Sequence, residues 1–344
     1  MKKPVRLVDV AMRAGVGVGT ASRVINNHPS VKEDKRRRVL EAIAEMDYQI
    51  NGIARSLKAN TTKTIGVLIP DIANEFYADV VRGMEDVARE KGYSYILSST
   101  DSNTEKELLS ISMMREKQVD GIMMMSHTVA PEMLTYIQHN ALPAVLVASG
   151  TSHPSVAAVS IDNRKAAYDA ARYLLDLGHT RVAIVSGPIS DQSGGVARLA
   201  GFEDAMRERG LTVSEEYVHS GTDYSYRTGY EKMERLLALE RPPTAVFLAG
   251  DYMAIGAIKA ADHHGVAVPD QIAVMGFDNL AVSRYYAPSL STVNQPRYRM
   301  GQEAMRLLFR RISGDVSETA DVVLPHEVLR RQSTEKNILD ELVG

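Results

Sequence analysis

The stretch Pro4–Asn27, PVRLVDVAMRAGVGVGTASRVINN, decides how the beginning of the chain folds. Two short amphipathic segments, Leu7–Ala14 and Val18–Asn26, flank a turn sequence, Gly15-Val16-Gly17. Apolar side chains recur at helical spacing in both segments, so each is predicted to be a helix with one buried face. Two helices joined by a three- or four-residue turn containing glycine are typical of a helix-turn-helix unit. In that unit the second helix lies in the DNA major groove with its first residues at the base edges.

Two other interpretations of this stretch compete with DNA binding. A helical hairpin in an ordinary all-α protein would show the same periodicity. The glycines at 15, 17 and 19 also imitate a dinucleotide-binding loop, but that loop follows a strand, whereas here a helical pattern comes first. Charge favours DNA: residues 1–60 hold 12 Lys and Arg against 6 Asp and Glu, while the remainder of the chain is acidic. A basic module on an acidic body is expected of a nucleic-acid reader.

Composition excludes several classes of function. The chain has 344 residues and no cysteine, so it has no disulfide, no thiolate metal site and no thiol nucleophile. Its first residues, MKKPVRLVD, lack the apolar segment of a secretory signal, which predicts a cytoplasmic protein. The sequence contains no nucleophile elbow, phosphate loop or pair of histidines at ligand spacing, so we expect neither an enzyme nor a cofactor or metal ion.

A short segment after the helix-turn-helix is predicted to be a hinge helix that depends on DNA. Asn51 can cap a helix that extends through Lys58. A helix of this length is unstable alone in water, so it needs a partner to form. Leu57, with a cation beside it, is suited to act as a wedge between base steps in the minor groove.

The rest of the chain alternates short apolar strands with amphipathic helices, and the alternation occurs twice. This pattern predicts two doubly wound parallel sheets, each covered by helices on both faces, in two lobes with a cleft between them. The expected organisation is a DNA-binding domain at 1–50, a hinge at 51–62, an effector and dimerisation domain at 63–334, and a tail at 335–344. We expect the N-lobe at about 63–161 and 292–320, and the C-lobe at about 162–291 and 321–334. The tail is too short for a tetramerising coiled coil, which predicts a dimer.

Ligands of open α/β sheets bind beyond the carboxyl ends of the strands. The segments that follow the predicted strands contain aromatic rings, carboxylates and one arginine, a combination that suits a sugar or a nucleoside. Any one of these residues could instead cap a loop or a helix, and for Asp251 we favour that interpretation. The strand-end residues are Asn74, Phe76, Tyr77, Ser126, Ser149, Asp162, Arg198, Asp223, Tyr224, Asp251 and Asp278.

Several motifs now point to one family. They are Leu7-x-Asp9-Val10-Ala11, Ala14-Gly15-Val16, Ser22-Arg23-Val24-Ile25-Asn26 and Ala54-Arg55-Ser56-Leu57. With them the chain, from about Pro4 to Thr334, resembles the LacI/GalR family of bacterial transcription regulators. Ile69-Pro70-Asp71-Ile72, Arg82-Gly83-Met84-Glu85 and Leu324-Pro325-His326-Glu327 resemble the branch of catabolite control proteins and cytidine repressors.

This resemblance implies a helix-turn-helix headpiece with a hinge helix, followed by a two-lobed effector domain of the periplasmic-binding-protein type. It implies a dimeric repressor of carbohydrate or related catabolic genes that reads a pseudo-palindromic operator and responds to a small effector, a sugar, sugar derivative or nucleoside. Val18 and Gly19 would read bases and Arg23 would reach a guanine. The DNA-binding residues that it implies are Leu7, Val18, Gly19, Thr20, Ser22, Arg23, Asn26, Tyr48, Asn51, Arg55, Leu57 and Lys58.

The same resemblance sharpens the effector site. Phe76 and Tyr224 match stacking positions, and Arg198, Asp278 and Gln295 match polar positions. The predicted effector-binding residues are Phe76, Tyr77, Asp162, Arg198, Tyr224, Asp278 and Gln295. Ala148 and Gly250 replace an Asp and an Asn found in sugar-responsive members, and the loop Ile189–Val196 matches none of the family sequences compared with it.

A protein corepressor is the alternative to a small effector. Catabolite control proteins take a phosphorylated carrier protein as corepressor, and Tyr298, Arg306 and Leu307 match the helix on which it docks. Arg299 stands where that helix carries an Asp facing a basic partner. Like charges at an interface are unfavourable, so this reversal argues against the alternative.

Overall fold

The computed structural model describes residues 5–26, 28–48, 61–126, 129–150, 156–315 and 321–336. The chain forms two compact units, Met1–Lys63 and Thr64–Gly344. We call the first the headpiece and the second the body. Of the predicted hinge, residues 51–60 lie outside the described residues, and with them the predicted DNA contacts Asn51, Arg55, Leu57 and Lys58.

The headpiece is a bundle of three helices, α1 Leu7–Ala14, α2 Val18–Ile25 and α3 Glu33–Glu45. The turn between α1 and α2 depends on Gly15, whose φ of +63° is left-handed, and the amide of Val16 closes it by donating to the carbonyl of Ala11 at 3.0 Å. The apolar faces predicted from the periodicity meet in one small core, made of Val10, Ala11, Ala14, Ala21, Val24, Val39 and Ala42. The predicted helix-turn-helix fold is confirmed.

The body alternates strands and helices. Its strands are β1 Thr64–Ile69, β2 Ser94–Ser99, β3 Gly121–Met124, β4 Ala144–Val147, β5 Ala157–Ile161, β6 Val182–Ser186, β7 Val218–Ser220, β8 Ala245–Leu248, β9 Ala273–Asp278, β10 Ser291–Asn294, β11 Val322–Leu324 and β12 Glu327–Leu329. Its α-helices are α4 Glu75–Glu90, α5 Thr104–Glu116, α6 Pro131–His139, α7 Asn163–Asp176, α8 Arg198–Glu208, α9 Tyr226–Leu237, α10 Asp251–His263, α11 Ala281–Tyr285 and α12 Arg297–Ile312. A π-helical turn, Gln192–Ala197, precedes α8, and a 3-10 turn, Glu215–Tyr217, precedes β7.

The strands form two sheets, one in each lobe. The first sheet has the order β11-β5-β4-β3-β1-β2 and the second has the order β12-β10-β9-β8-β6-β7. All the pairings are parallel except that of β10 with β12, which is antiparallel. The prediction of two parallel sheets is therefore correct apart from this last strand.

The predicted lobe boundaries need two corrections. β10 was expected to begin the return to the N-lobe at residue 292, but it pairs with β9 in the second sheet through Asn294. β11 was expected in the C-lobe, but it pairs with β5 in the first sheet. The chain thus passes between lobes after β5, after β10 and after β11. Because β10 leaves the second lobe where β12 enters it, the two strands run in opposite directions.

Close helix packing in the body requires glycine at specific positions. A Cβ on Gly83 of α4 would lie 2.0 Å from the carbonyl oxygen of Tyr298 on α12. Gly301 of α12 faces the carbonyl oxygen of Val80 in the same way, also at 2.0 Å. These two helices therefore touch backbone to backbone on one face of the first sheet.

The described ranges have two further properties. No helix found there is long and apolar enough to cross a membrane. Nor do these ranges bring together three or more His, Asp or Glu side chains that could hold a metal ion.

Candidate effector cavity and DNA-binding surface

The carboxyl ends of strands from both sheets meet around one cavity in the body. It encloses about 530 Å³, including space open to solvent. The residues that line it are Asn74, Phe76, Tyr77, Met125, Ser126, Val147, Ala148, Ser149, Asp191, Gly194, Arg198, Tyr224, Asp278 and Gln295. Six of the seven predicted effector residues are therefore brought together, and they come from segments far apart in the sequence.

Asp162 is the predicted effector residue that the structure does not place in this cavity. Its carboxylate accepts a hydrogen bond from the amide of Lys165 at 2.9 Å and caps the N-terminus of α7. The prediction for Asp162 is therefore not supported. A capping role was open from the sequence, because an Asp between a strand and a helix suits either purpose.

Arg198 is held in a fixed position at the start of α8. Its Nε donates to Oδ1 of Asn163 at 2.9 Å, and one terminal nitrogen donates to the carbonyl of Ala249 at 2.6 Å. The guanidinium carbon lies 3.6 Å from the centre of the Phe277 ring, where the face of the ring attracts a cation. This buried arginine therefore presents its positive charge to the cavity in one orientation.

Asp278 reaches the cavity from the end of β9. Its φ of +115° is unusual for a residue with a side chain, and such conformations concentrate at functional sites. Gln295 donates to Oδ1 at 2.7 Å. Burial raises the pKa of Asp278 to about 6, although the charge of Arg198 and the hydrogen bond from Gln295 oppose this rise. The carboxyl group is therefore ionised at neutral pH but titrates well within reach of experiment.

Asp251 is completely buried, and its carboxylate has a structural role. Its carboxylate accepts hydrogen bonds from the amide of Leu280 at 2.7 Å and from the hydroxyl of Thr292 at 2.6 Å. The interpretation that Asp251 caps its own helix is wrong, because Gly250 is the N-cap residue and no side chain caps α10. Burial and the nearby charge of Asp278 raise the pKa of Asp251 well above its ordinary value.

Asp191 is a lining residue that the sequence analysis missed. One carboxylate oxygen accepts hydrogen bonds from the amides of Ser193 and Gly194, at 2.9 and 2.8 Å. The other oxygen accepts a hydrogen bond from the hydroxyl of Tyr224 at 2.6 Å. The available signal was local: an Asp followed two and three residues later by Ser and Gly suits a side chain that binds its own backbone turn.

The two lobes contact each other beside the cavity. Gly150 of the first lobe donates its amide to the hydroxyl of Ser193 in the second at 3.3 Å. The amide of Ala281 in the second lobe donates to Glu75 of the first lobe at 2.6 Å. These bonds bridge the cleft, so any ligand that alters the separation of the lobes must alter them too.

In the headpiece, the start of α2 presents a free surface of the kind that reads DNA. Val18 is 45 % exposed, Gly19 and Arg23 are exposed, and Thr20 and Ser22 are half-buried. Asn26, at the end of this helix, is also exposed, and its side-chain amide donates to the carbonyl of Ser22 at 2.8 Å. Leu7 and Tyr48 are half-buried and pack against the headpiece core, so their predicted DNA contacts stay a prediction.

The residues that match the corepressor-docking helix do not all lie on the protein surface. Tyr298 is exposed and its hydroxyl donates to Asp86 at 2.8 Å, while Arg306 pairs with Glu303 at 2.7 Å. Leu307 is completely buried against the first sheet and cannot meet a partner. The match of Leu307 to the docking helix therefore adds no exposed contact residue.

Two family models match the chain. Residues 6–51 match bacterial regulatory proteins of the lacI family, and residues 171–334 match the periplasmic binding protein-like domain. Among curated proteins, catabolite control protein A of Priestia megaterium is 41 % identical over 330 residues, which cover 96 % of this chain and 99 % of the relative.

Solved structures match over the same extent. The lac repressor dimer bound to operator and the anti-inducer ONPF has a TM-score of 0.86 and 26 % identity, and the match covers 96 % of this chain and 99 % of the other. A complex of the transcriptional regulator CelR with cellobiose has a TM-score of 0.74 and 32 % identity over the same shares of the two chains. The similarity therefore includes the headpiece as well as the body.

Proposed function

The chain belongs to the lacI family of bacterial regulatory proteins, and from that premise we propose that it is a cytoplasmic, dimeric repressor controlled by a small polar ligand. As a member of this family it is a DNA-binding transcription regulator with an effector domain, and it is not an enzyme.

One observation carries the ligand part of the proposal. Aromatic rings from both lobes, with an arginine and two carboxylates from the second lobe, surround one cavity at the strand ends. A site of this composition stacks on a sugar or base ring and hydrogen-bonds its polar edge. The similar regulator CelR is known in complex with cellobiose, which favours a carbohydrate. A protein corepressor is the weaker candidate, because Leu307 is buried and Arg299 reverses a charge.

The exposed start of α2 supports the proposed operator contacts. We expect the exposed Arg23 to reach a guanine through the major groove, and the exposed Val18 and Gly19 to meet the base edges. In a dimer the two copies of α2 would read two half-sites of a pseudo-palindrome. The hinge residues, Leu57 among them, would meet at its centre, where a flexible step is easiest to kink.

In the proposed mechanism the ligand acts through the two lobes. It bridges residues of both lobes in the cavity and so favours one separation between them. That separation sets the distance between the hinges of the two protomers, and with it their ability to fold on DNA. A ligand shifts this equilibrium only by its difference in affinity for the two arrangements.

The test starts with operator sequences selected from a random duplex library by the full-length protein. Fluorescence anisotropy then measures operator binding with and without glucose, ribose, cellobiose and nucleosides. We expect specific binding to a pseudo-palindrome and a change in affinity with at least one probe. Asp278→Asn should abolish the response to the probe, whereas the exposed-site control Asp262→Asn should keep it. If no probe changes operator affinity or thermal stability, the proposal of a small effector of these classes is wrong.

A further inference from the structure

We propose that Asp191 makes the cavity selective for charge, so that it takes a neutral polyhydroxylated ligand and rejects phosphorylated and carboxylated sugars. This inference rests on the proposed function, since it concerns the ligand of the same cavity. It assigns a specificity-determining role to a residue in the loop Ile189–Val196, beside the cavity.

The position of Asp191 is fixed by its surroundings. Three donors hold the carboxylate: the amides of Ser193 and Gly194, and the hydroxyl of Tyr224. Asp191 is 5 % exposed, and it is one of the residues that line the cavity. Two of these donors are backbone amides of the π-helical turn Gln192–Ala197, so the conformation of the turn fixes the position of the carboxylate.

The π-helical turn that follows Asp191 is closely packed, and its glycines have no space for a side chain. A Cβ on Gly194 would lie 2.1 Å from the hydroxyl oxygen of Tyr224, and one on Gly195 would lie 1.9 Å from the carbonyl oxygen of Pro188. Ser193 in the same turn accepts a hydrogen bond from the amide of Gly150 across the cleft. The turn is therefore closely packed, and three hydrogen bonds hold the Asp191 carboxylate in the wall of the cavity.

The balance of charge in the cavity is negative. Among the described lining residues, the carboxylates are those of Asp191 and Asp278, and the cation is Arg198. Arg297 lies behind Asp278, but its guanidinium is paired with Asp79 at 2.6 Å. Burial raises the pKa of Tyr77, and the negative charges of Asp278 and Asp191 raise it further. An anionic ligand would therefore face two like charges in a site where water screens little.

A neutral polyol fits the same groups without this conflict. Buried carboxylates accept hydrogen bonds from hydroxyl groups, and Arg198 donates to a ring or glycosidic oxygen. Tyr224 serves two purposes in this arrangement, because its ring lines the cavity while its hydroxyl orients Asp191. Selection thus comes from a repulsive element added to an ordinary sugar-binding surface.

The experiment compares matched ligands by isothermal titration calorimetry with the full-length protein. The probes are glucose, ribose and cellobiose, together with glucose 6-phosphate, ribose 5-phosphate and gluconate. In the wild type we expect a neutral sugar to bind and its anionic counterpart to bind at least 100-fold more weakly. In Asp191→Asn we expect the anionic counterpart to gain at least tenfold in affinity, while the neutral sugar changes less.

Two further variants distinguish the effect of the Asp191 charge from the effect of a changed structure. Tyr224→Phe keeps the charge of Asp191 but removes one donor, so it should still reject anions. Asp101→Asn, at an exposed carboxylate that pairs with Lys106, should behave as the wild type. If Asp191→Asn does not fold, the proposal is still overturned when the wild type or Tyr224→Phe binds an anionic sugar as tightly as its neutral counterpart.

The possible results distinguish the two proposals. Tighter binding of a sugar phosphate than of the neutral sugar by the wild type would overturn the role of Asp191 but leave a small effector in place. Equal rejection of anions by wild type and by folded Asp191→Asn would also overturn it. Failure of every probe to bind the wild type counts against the proposed small effector itself, and the inference falls with it.

Discussion

The guanidinium of Arg297, in the first lobe, donates a hydrogen bond to the main-chain carbonyl of Asp278, in the second. The same nitrogen donates to the carbonyl of Asn279 at 2.9 Å, and the other side of the guanidinium pairs with Asp79 of α4 at 2.6 Å. Asp278 and Asn279 both have positive φ, at +115° and +54°. Arg297 therefore fixes the strained turn that presents Asp278 to the cavity, and it ties that turn to the opposite lobe.

Arg297→Ala should weaken the body and uncouple ligand binding from DNA binding. The nearly buried guanidinium serves three acceptors, and hydrogen bonds to charged groups contribute about 1.5–3 kcal/mol each. Bonds made by one group are not additive and Asp79 is 44 % exposed, so we expect a loss of roughly 2–4 kcal/mol in urea unfolding. We also expect a smaller change of operator affinity on ligand addition. Asp79→Asn, which keeps the bonds to the two carbonyls, is the control and should lose less. An unchanged unfolding midpoint together with an intact ligand response would show that Arg297 does not couple the lobes.

Asp278→Asn should change how stability depends on pH. Burial raises the pKa of Asp278 to about 6, against about 3.9 in an unfolded chain. Between these values the folded state binds the extra proton, so its stability falls as the pH rises from about 4 to about 6. Above pH 6 the ionised carboxylate costs up to about 3 kcal/mol, which the amide avoids.

The measurement is urea unfolding of wild type and Asp278→Asn at several pH values from 4 to 8. We expect equal stability near pH 4 and a more stable variant above pH 6. Asp251→Asn serves as a comparison, since the pKa of Asp251 is also raised but its carboxylate accepts two structural hydrogen bonds. A constant difference between wild type and Asp278→Asn across this range would contradict the raised pKa.

Gly15 and Gly19 allow opposite predictions within one headpiece. A Cβ on Gly19 meets nothing within 4 Å, so Gly19→Ala in α2 should stabilise the headpiece by up to about 1 kcal/mol. Gly15 has a φ of +63°, so Gly15→Ala should destabilise it by about 1–2 kcal/mol. Thermal unfolding of the headpiece signal in full-length protein would measure both, and the same sign for the two variants would contradict the turn geometry.

The parts of this molecule that sequence predicted well depend on local patterns. Helical spacing around Gly15 predicted the headpiece, and the rule for strand ends predicted eight of the residues that line the cavity. Those residues meet because parallel strands place their carboxyl ends at one edge of a sheet, whatever the distance along the chain.

The parts that were missed depend on distant contacts. Asp191 became a lining residue through a π-helical turn and a bond to Tyr224, 33 residues away. Asp162 was assigned to the ligand because a strand end followed by a helix suits capping and binding equally. Leu307 matched a docking position by resemblance, but its face of α12 lies against the sheet. The short β10 and β11 carried too few residues for the sequence to reveal which lobe each strand joins.

Arg23 should contribute specificity to operator binding, and Arg37 should contribute only general affinity. A bidentate contact to guanine discriminates between bases by about 1–3 kcal/mol, so Arg23→Ala should relax preference at one position of each half-site. Arg37 is exposed on α3 and lies 3.9 Å from Glu41, so Arg37→Ala should weaken all duplexes alike or leave them unchanged. Anisotropy titrations with single-base operator variants would separate the two. Loss of the same base preference in both variants would count against reading by Arg23.

Gly83→Ala should damage the body more than any exposed substitution, because the added methyl has no space. Its Cβ would lie 2.0 Å from the carbonyl oxygen of Tyr298, which belongs to a helix backbone and cannot rotate away as a side chain would. The helices α4 and α12 must then separate, and Gly301, which faces the carbonyl of Val80, loses its close contact as well. Overpacking of this kind costs about 1–3 kcal/mol and occasionally more.

Gly150→Ala is the matched control, since a Cβ there meets nothing within 4 Å. We expect Gly83→Ala to lower the urea midpoint of the body clearly and Gly150→Ala to leave it nearly unchanged. The headpiece is a separate compact unit, so its own unfolding should be the same in both variants. Equal midpoints for the two variants would mean that α4 and α12 can move apart at little cost, and the close packing would then not be what stabilises this face of the first lobe.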